Sequence, residues 1–542
     1  MNSFLLYEQT DKLMDPQYFD AKSIIQDLGL RAMFLAAAKE VIYEEERVKK
    51  IGKEDSYIQD CMRKVMMIPL REEDQILYRQ EILRDFLKNE DLVKAFYEIS
   101  SRVLAEWNKL GRSVMEKMSN ANPMMKLITD VRVITLMTEN LSEIRNRLKE
   151  CKDKLHSRGL LGFAERLDAE FSEEREAYVK KILEDVSFYV DGGETEDEDN
   201  KVIRPKIVVE CGLEDGLKFS SLKLQEVSSY RQKFYKPGST MSKIQDFKNS
   251  RIPDSFSATK ETAVKDQASM LELQVVSYVV GSMASILSDF GTFFDSLHLQ
   301  SAFYLGAVNL RHQMGRFQLD YCFPTVCEKD KLSFKELKEF VMCLEQRVSA
   351  VGNTCKLEHK MLLIVTGANQ GGKSTFLRSI GIAQVMMQAG LMVAAQKFES
   401  SIFPDLFTHF TRREDSEMNS GRLDEELNRM DQIIKNLGER PLLLLNESFA
   451  TTTEKEGSVI AYDIIKALGE AGVKILTVTH LLSFAQRAYQ ERSASENSGI
   501  EFLSAERKPG GIRTFKMIQH APELTSFGLD LYEEIVERKG EA

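Results

Sequence analysis

The stretch MLLIVTGANQGGKSTFLRSIGIAQVMM, residues 361–387, decides the fold. Met361–Thr366 is an apolar run that reads as a buried strand, and Ser374 onward reads as an amphipathic helix. Between them Gly367, Ala368, Asn369, Gln370, Gly371, Gly372, Lys373 and Ser374 satisfy G-x-x-x-x-G-K-[ST] in the strand–loop–helix context that a phosphate-binding loop requires. Glycines 367, 371 and 372 let the backbone wrap a phosphate and present its N–H groups. The helix N-terminus adds the positive end of its dipole. Lys373 is placed to reach the β- and γ-phosphates of ATP, the Ser374 hydroxyl to ligate Mg²⁺, and Thr375 closes the binding set.

Working outward, a second apolar run, Leu442–Leu445, ends in Asn446-Glu447. At this position P-loop ATPases carry an Asp that orders Mg²⁺, followed by a Glu that activates the attacking water. Asn446 can still hold the metal through a water, but without charge, which predicts weaker metal affinity and slow hydrolysis. Glu447 is the candidate general base. A third run, Val473–Val478, ends in Thr479-His480. A lone histidine is usually structural; at the third strand end in the right order, His480 reads as a sensor of the γ-phosphate.

The 542 residues exceed what one core usually supports, which predicts two to four domains. With 73 basic and 84 acidic residues the net charge is −11, so the chain is not coated in basic charge, although a local basic stripe remains able to grip phosphates. Seven cysteines are scattered without a C-x-x-C pair, which reads as free thiols in a reducing cytosol. The N-terminus lacks a charged-then-apolar leader, and apolar stretches such as Leu273–Leu287 are too short or too interrupted to span a bilayer. These features predict a cytoplasmic protein with no membrane partner.

Residues 1–185 read as an almost wholly helical core and lever arm, with Leu127, Val131, Ile134, Leu141, Ile144 and Leu148 forming one apolar stripe. Residues 186–260 read as a mixed, β-containing insertion serving as clamp or connector: an acidic loop at 192–200, then PKIVVE and GLKFSSLKLQEV as short strands. Within it, Tyr230–Arg251 sets Arg231, Lys233, Lys236, Lys243, Lys248 and Arg251 among aromatics against one acid, Asp246. That mixture can grip a nucleic-acid backbone and stack on bases, while a solvated loop with a few core aromatics is the plainer alternative. Residues 261–310 read as a returning helical lever, and 311–542 as the P-loop domain. The expected class is therefore α plus α/β, a long helical region followed by an ABC-like P-loop NTPase domain with a central sheet.

GANQGGKST followed by FLRSIGIAQVMMQAG resembles the phosphate loop of the MutS family, G-P-N-x-G-G-K-S-T, with Ala368 in place of Pro and Asn369 kept. The approach VGNTCKLEHKMLLIVTGAN, the carboxylate motif NESFATTTEKEG, the histidine motif TVTH and the closing LTSFGLDL resemble the same family. Phe449, Ala450 and Thr451 stand where the family's loop carries glycines. In LFTHFTRREDSEMNSGRLDEEL the resemblance implies that Ser420 reaches the partner subunit's nucleotide. The likeness is strongest over 300–530 and extends backwards to IPLREEDQILYRQEILRDFL, similar to the start of the family's core domain. The N-terminal mismatch-reading domain and a C-terminal small MutS-related nuclease domain are expected to be absent. Phe96-Tyr97-Glu98 matches the letters of the mismatch wedge but falls inside a helical run.

The resemblance implies an ATP-dependent DNA-binding protein of the DNA mismatch repair type. It would be a homodimer or paralogue heterodimer that closes on mismatched, branched or otherwise structured DNA as it binds and hydrolyses ATP. The alternative is a nucleotide-gated switch or scaffold acting on a protein or ribosomal partner, with no DNA specificity. The two differ in what Lys233, Lys236, Lys243 and Lys248 are for.

Overall fold

The computed structural model describes residues 2–10, 13, 16–38, 53–117, 123–190, 195–196, 201–214, 218–233, 258–328, 330–411, 421–494, 499–508 and 512–522. Its chain forms two compact units, one of Met1–Ser3, Lys94–Leu155 and Leu161–His298, the other of Phe4–Val93, His156–Leu160 and Leu299–Ala542.

The first unit is helical with one hairpin. Helices Pro123–Cys151 and Glu173–Val190 pack together, and the stripe Leu127, Val131, Ile134, Leu141, Ile144 and Leu148 is buried throughout. Arg145 sits under this contact, donating from Nη1 to the Phe171 carbonyl at 2.9 Å and pairing through Nη2 with the Glu176 carboxylate. The long helical run breaks at a short 3₁₀ turn, Lys152–Lys154, before helix Arg158–Glu170. His298 lies against Tyr97 with ring centroids 4.8 Å apart, and burial pushes its imidazole down to about 4, so it is neutral. Phe96 is buried in helix Glu90–Lys117, where the Phe-Tyr-Glu letters belong to the packing of that helix.

Strands β1 (Thr195–Glu196), β2 (Lys201–Glu214) and β3 (Lys218–Lys233) form an antiparallel sheet in that order. The strands expected to be short are thus 14 and 16 residues long, because pairing continues on both sides of the apolar segments. The expected return of helices over 261–310 is a single helix, Ala258–Arg316, shared between the two units. At the other end of the chain the described residues before Ala21 carry no helix, where a helical start was expected.

In the second unit, β4 (Thr325–Val326), β5 (Lys331–Leu337), β6 (Asn353–Glu358) and β8 (Lys397–Ser400) make a four-stranded sheet in the order β4-β8-β5-β6. The main sheet comprises β7 (Leu362–Thr366), β9 (Leu406–Phe410), β10 (Leu442–Asn446), β11 (Lys474–Val478), β12 (Ile500–Arg507) and β13 (Arg513–Gln519). Its order is β13-β12-β7-β11-β10-β9, parallel except for the antiparallel edge strand β13. LLIVT, LLLLN and KILTV are near-continuous apolar runs because parallel strands are covered on both faces. On one face Ile364, Phe407, Leu443, Leu445 and Ile475 pack with Met430, Ile433, Tyr462, Ile465 and Phe484 from helices Arg422–Lys435, Glu454–Glu470 and Leu482–Ala494. On the other face helix Lys373–Gln388 lies so close that a Cβ at Gly381 would stand 2.7 Å from Leu444 and 2.8 Å from Leu28. That helix was expected to be amphipathic; thirteen of its residues are buried, since it is sandwiched between sheet and N-terminal residues. β7 is inserted between β11 and β12 in an otherwise sequential run from β9 to β13, and in open parallel sheets ligands bind at the carboxyl ends of the strands.

Candidate functional site

The carboxyl end of β7 runs into a glycine-rich loop whose shape is set by close approaches. Gly367 has φ +108, and a Cβ there would stand 2.8 Å from both the Ala505 amide nitrogen and the Ser504 Oγ of β12, so only glycine fits. Gly371 is confined between Ala505 Cβ and the Ala368 carbonyl, to which its own N–H donates at 3.2 Å. Ala368 is buried, while Asn369 and Gln370 are exposed at the tip. Gln370 adopts φ +58 and its amide oxygen accepts from Arg513 Nη1 at 2.9 Å. Gly372 caps the helix at φ +87 without a side-chain hydrogen bond, at the end of the helix that carries its unsatisfied N–H groups.

Lys373 is only 4% exposed, and its Nζ donates to the carbonyls of Gly367 (2.8 Å) and Ala368 (2.9 Å). A buried ammonium held by two neutral carbonyls is a cation poised for an anion. Ser374 Oγ lies 2.8 Å from Asn446 Oδ1 at the end of β10 and donates to it. Next in the chain, Glu447 takes φ +56 and anchors its backbone by donating from N–H to the Val478 carbonyl at 2.8 Å, at the end of β11. Thr411 closes the other side, its hydroxyl donating to the Glu447 carbonyl at 2.8 Å. Glu447 Oε1 accepts from His480 Nε2 at 2.9 Å. The His480 hydrogen bond holds the Glu447 carboxyl below the usual carboxylate range against the opposing effect of burial, with the Lys373 charge assisting.

Lys373, Ser374, Asn446, Glu447 and His480 are therefore gathered at three neighbouring strand ends. A cavity of about 460 Å³ opens beside them, bounded by Asn369–Phe376 and Glu447 on one side. Thr375 lines it with the rest of the loop. Its other wall was not expected from the sequence. Phe515 of β13, with Val348, Val351 and Met342, presents apolar surface to the cavity, and Phe515, Val348 and Val351 remain 46%, 47% and 40% exposed. Asn353 fixes that wall, donating from Nδ2 to the Phe515 carbonyl at 3.2 Å and accepting at Oδ1 from the Met517 N–H at 2.7 Å. No local motif marks these residues; Phe515 arrives through the pairing of β13 with β12, and the Asn353 side chain ties it to the stretch that carries Met342, Val348 and Val351.

The segment after Glu447, which lacks the expected glycines, solves its turn differently: Phe449 takes φ +63 and buries its ring completely. Among the nucleic-acid candidates, Arg231 and Lys233 belong to strand β3, whereas Lys236, Lys243 and Lys248 lie outside the described residues. Ser420, the candidate for reaching a partner's nucleotide, also lies outside them, as does the closing segment LTSFGLDL.

Comparison with known proteins bears on this arrangement. Residues 71–317 match the family model "MutS2 N-terminal domain", and residues 363–536 match "MutS domain V". Residues of "Endonuclease MutS2" from Latilactobacillus sakei subsp. sakei are 30% identical over 161 residues, covering 30% of this chain and 20% of that protein. "Endonuclease MutS2" from Carboxydothermus hydrogenoformans is 29% identical over 242 residues, 43% of this chain and 30% of its own. "DNA mismatch repair protein MutS" from Thermotoga sp. (strain RQ2) is 30% identical over 172 residues, 32% of this chain and 21% of its own. The chain thus aligns with less than a third of the length of each of these relatives. Both family matches are to MutS domains, the second spans the glycine-rich loop and the ends of β10 and β11, and the chain belongs to the MutS family.

Proposed function

We propose that this protein binds and hydrolyses ATP at the β7 loop and uses the nucleotide to switch its grip on DNA. The observation that carries the reading is the convergence of a buried lysine, a serine–asparagine pair and a histidine-held carboxylate at the ends of β7, β10 and β11. The residues fit the substrate. Lys373 and the uncapped helix N-terminus suit a polyphosphate, and the apolar wall of Phe515, Val348 and Val351 suits a base ring. The Ser374 hydroxyl and the Asn446 amide oxygen suit a hydrated hard cation. Mg²⁺, when bound, neutralises charge on the β- and γ-phosphate oxygens.

In the proposed reaction Glu447 accepts the proton of the attacking water, whose oxygen bonds to the γ-phosphorus as the bond to ADP breaks. Lys373 stabilises the charge that develops on the phosphate, and His480 keeps the carboxylate aimed and ionised while reporting on the γ-phosphate. Gly367–Thr375 bind, with Ser420 supplied by a partner subunit in the dimer that the family reading implies. Among the described residues no helix is long and apolar enough to cross a membrane.

Asn446 brings no charge to the metal. Asn446→Asp is expected to lower the Mg²⁺ concentration for half-maximal turnover by about 10-fold, the effect of one added anion a few ångströms away in a partly screened site. A magnesium titration of turnover checks it, and an unchanged midpoint would place the metal elsewhere.

The DNA side rests on the family and on the basic segment. Replacing Lys233, Lys236, Lys243 and Lys248 together by alanine is expected to flatten the slope of log affinity against log salt for branched duplex by about 3 to 4, roughly 0.9 for each lost phosphate contact. Steady-state turnover, alone and with branched or homoduplex DNA, tests the whole reading with Glu447→Gln as blank. Turnover that depends on Glu447 and responds to branched DNA supports it. Turnover that ignores DNA would replace DNA by a protein or ribosomal partner, and turnover no faster than the blank would leave a nucleotide-binding scaffold.

A further inference from the structure

Behind the carboxylate lies a buried polar cluster that the reaction above does not use. Glu426, on helix Arg422–Lys435, is 6% exposed. Its Oε2 accepts from the Phe449 N–H at 3.0 Å and from the Thr451 hydroxyl at 3.0 Å. A single carboxylate oxygen therefore pins the chain two and four residues beyond Glu447. The same helix is tied in a second way. His409 Nε2 lies 3.1 Å from the Glu426 carbonyl and donates to it, leaving Nδ1 to share the Ser448 hydroxyl proton with the His409 carbonyl, at 2.7 and 2.8 Å. The His409 ring stacks on Phe449, with centroids 5.7 Å apart.

These bonds bear on a stretch that needs restraint. Glu447 and Phe449 both sit at left-handed φ, +56 and +63. Non-glycine residues there cost about 1 kcal/mol or more each and persist only where the surroundings over-determine them. Without the Glu426 carboxylate, Phe449 N–H would be a buried donor with its partner gone, and the backbone would be free to relax toward an ordinary turn. Such relaxation rotates the peptide units that aim the Glu447 side chain at His480. Burial pushes the Glu426 carboxyl up while the Thr451 and Phe449 bonds hold it down, as expected of a buried acceptor kept by its donors.

We infer that Glu426 is a positioning residue for Glu447, holding the Phe449–Thr451 backbone so that the carboxylate faces His480 and the loop cavity. The inference rests on the hydrolysis reading. Glu426 touches neither the cavity-lining loop nor the reacting atoms; it acts through Phe449 and Thr451.

The test compares the full-length protein with Glu426→Ala, Glu426→Gln and Glu447→Gln, measuring ATP turnover, binding of a fluorescent ATP analogue and thermal melting. Glutamine keeps an amide oxygen where Oε2 stands, so both bonds survive; alanine removes them. Glu426→Ala is expected to lower kcat by about 10- to 100-fold, as misplacement of a catalytic group by about 1 Å does, with analogue affinity within about 2-fold. Glu426→Gln should return kcat to within about 3-fold of the unaltered protein. If Glu426→Ala melts below the assay temperature, Thr451→Val, which removes one bond and leaves the Phe449 contact, takes its place with a smaller fall in kcat. An alanine variant with unchanged kcat, or one losing affinity in step with kcat, overturns the positioning role while hydrolysis stands. An unaltered protein no faster than Glu447→Gln overturns the hydrolysis reading and this inference together.

Discussion

Glu447→Gln stops turnover while nucleotide still binds: the expected loss in kcat is about 10²- to 10⁴-fold, the usual contribution of a positioned general base. The substitution keeps the shape of the side chain and leaves its amide oxygen able to accept from His480 Nε2, so the 2.9 Å contact survives. What is lost is proton affinity. Binding should be spared because the polyphosphate contacts come from the loop and from Lys373, on a different strand end. Fluorescent ATP analogue titration together with a phosphate-release assay separates the two quantities. Parallel loss of both would mean that Glu447 holds the loop rather than the water. The pH profile carries the sign of the same argument. His480, and behind it Lys373, hold the Glu447 carboxyl below its ordinary range, so the base stays ionised at pH values where an unassisted glutamate protonates. The acid limb of kcat should therefore lie below the ordinary carboxylate range, and His480→Ala should move it to higher pH.

Lys373→Ala should abolish binding itself, weakening nucleotide affinity by about 100-fold or more, since a charge-assisted contact in a site this buried is worth roughly 3 kcal/mol. The lysine is 4% exposed and its ammonium is shared between two loop carbonyls, so it is both the anion's partner and the loop's internal tie. Lys373→Met separates those tasks from simple loss of bulk, because it fills the same space without charge. Both variants should melt as folded proteins, and both should fail to retain an ATP analogue at concentrations that saturate the unaltered chain. Binding preserved in either would move the polyphosphate away from the β7 loop.

Much of this site was legible because its signals are local. The glycine spacing around Lys373 and the apolar runs ending in Asn446-Glu447 and Thr479-His480 are each short segments readable in the sequence, and His480 takes its reading from its place third in that order. What stayed hidden is what strand pairing creates. Phe515 and Val351 are ordinary apolar residues until β13 folds back on β12, and until Asn353 ties Phe515 in place. Helix Lys373–Gln388 reads in the sequence as amphipathic from Ser374 onward, yet thirteen of its residues are buried. Gln384 and Gln388 are buried and bonded to each other at 2.7 Å, so polarity in the sequence misreported exposure. The missing glycines after Glu447 were visible, and the answer to them was not: a left-handed phenylalanine is tolerable only because a distant glutamate and histidine hold it.

The insertion of β7 between β11 and β12 has a further consequence. On one flank, β10 and β11 deliver Asn446, Glu447 and His480; on the other, β12 leads to β13 and Phe515. The groups proposed to break the bond and those proposed to seat the ring thus ride on separate stretches of polypeptide that meet across the loop. On the proposed reading the arrangement is modular: the wall that would seat the base belongs to a different stretch of chain from the groups that would act on the phosphate, joined to the loop through Phe515 beside Gly372 and the Arg513–Gln370 bond.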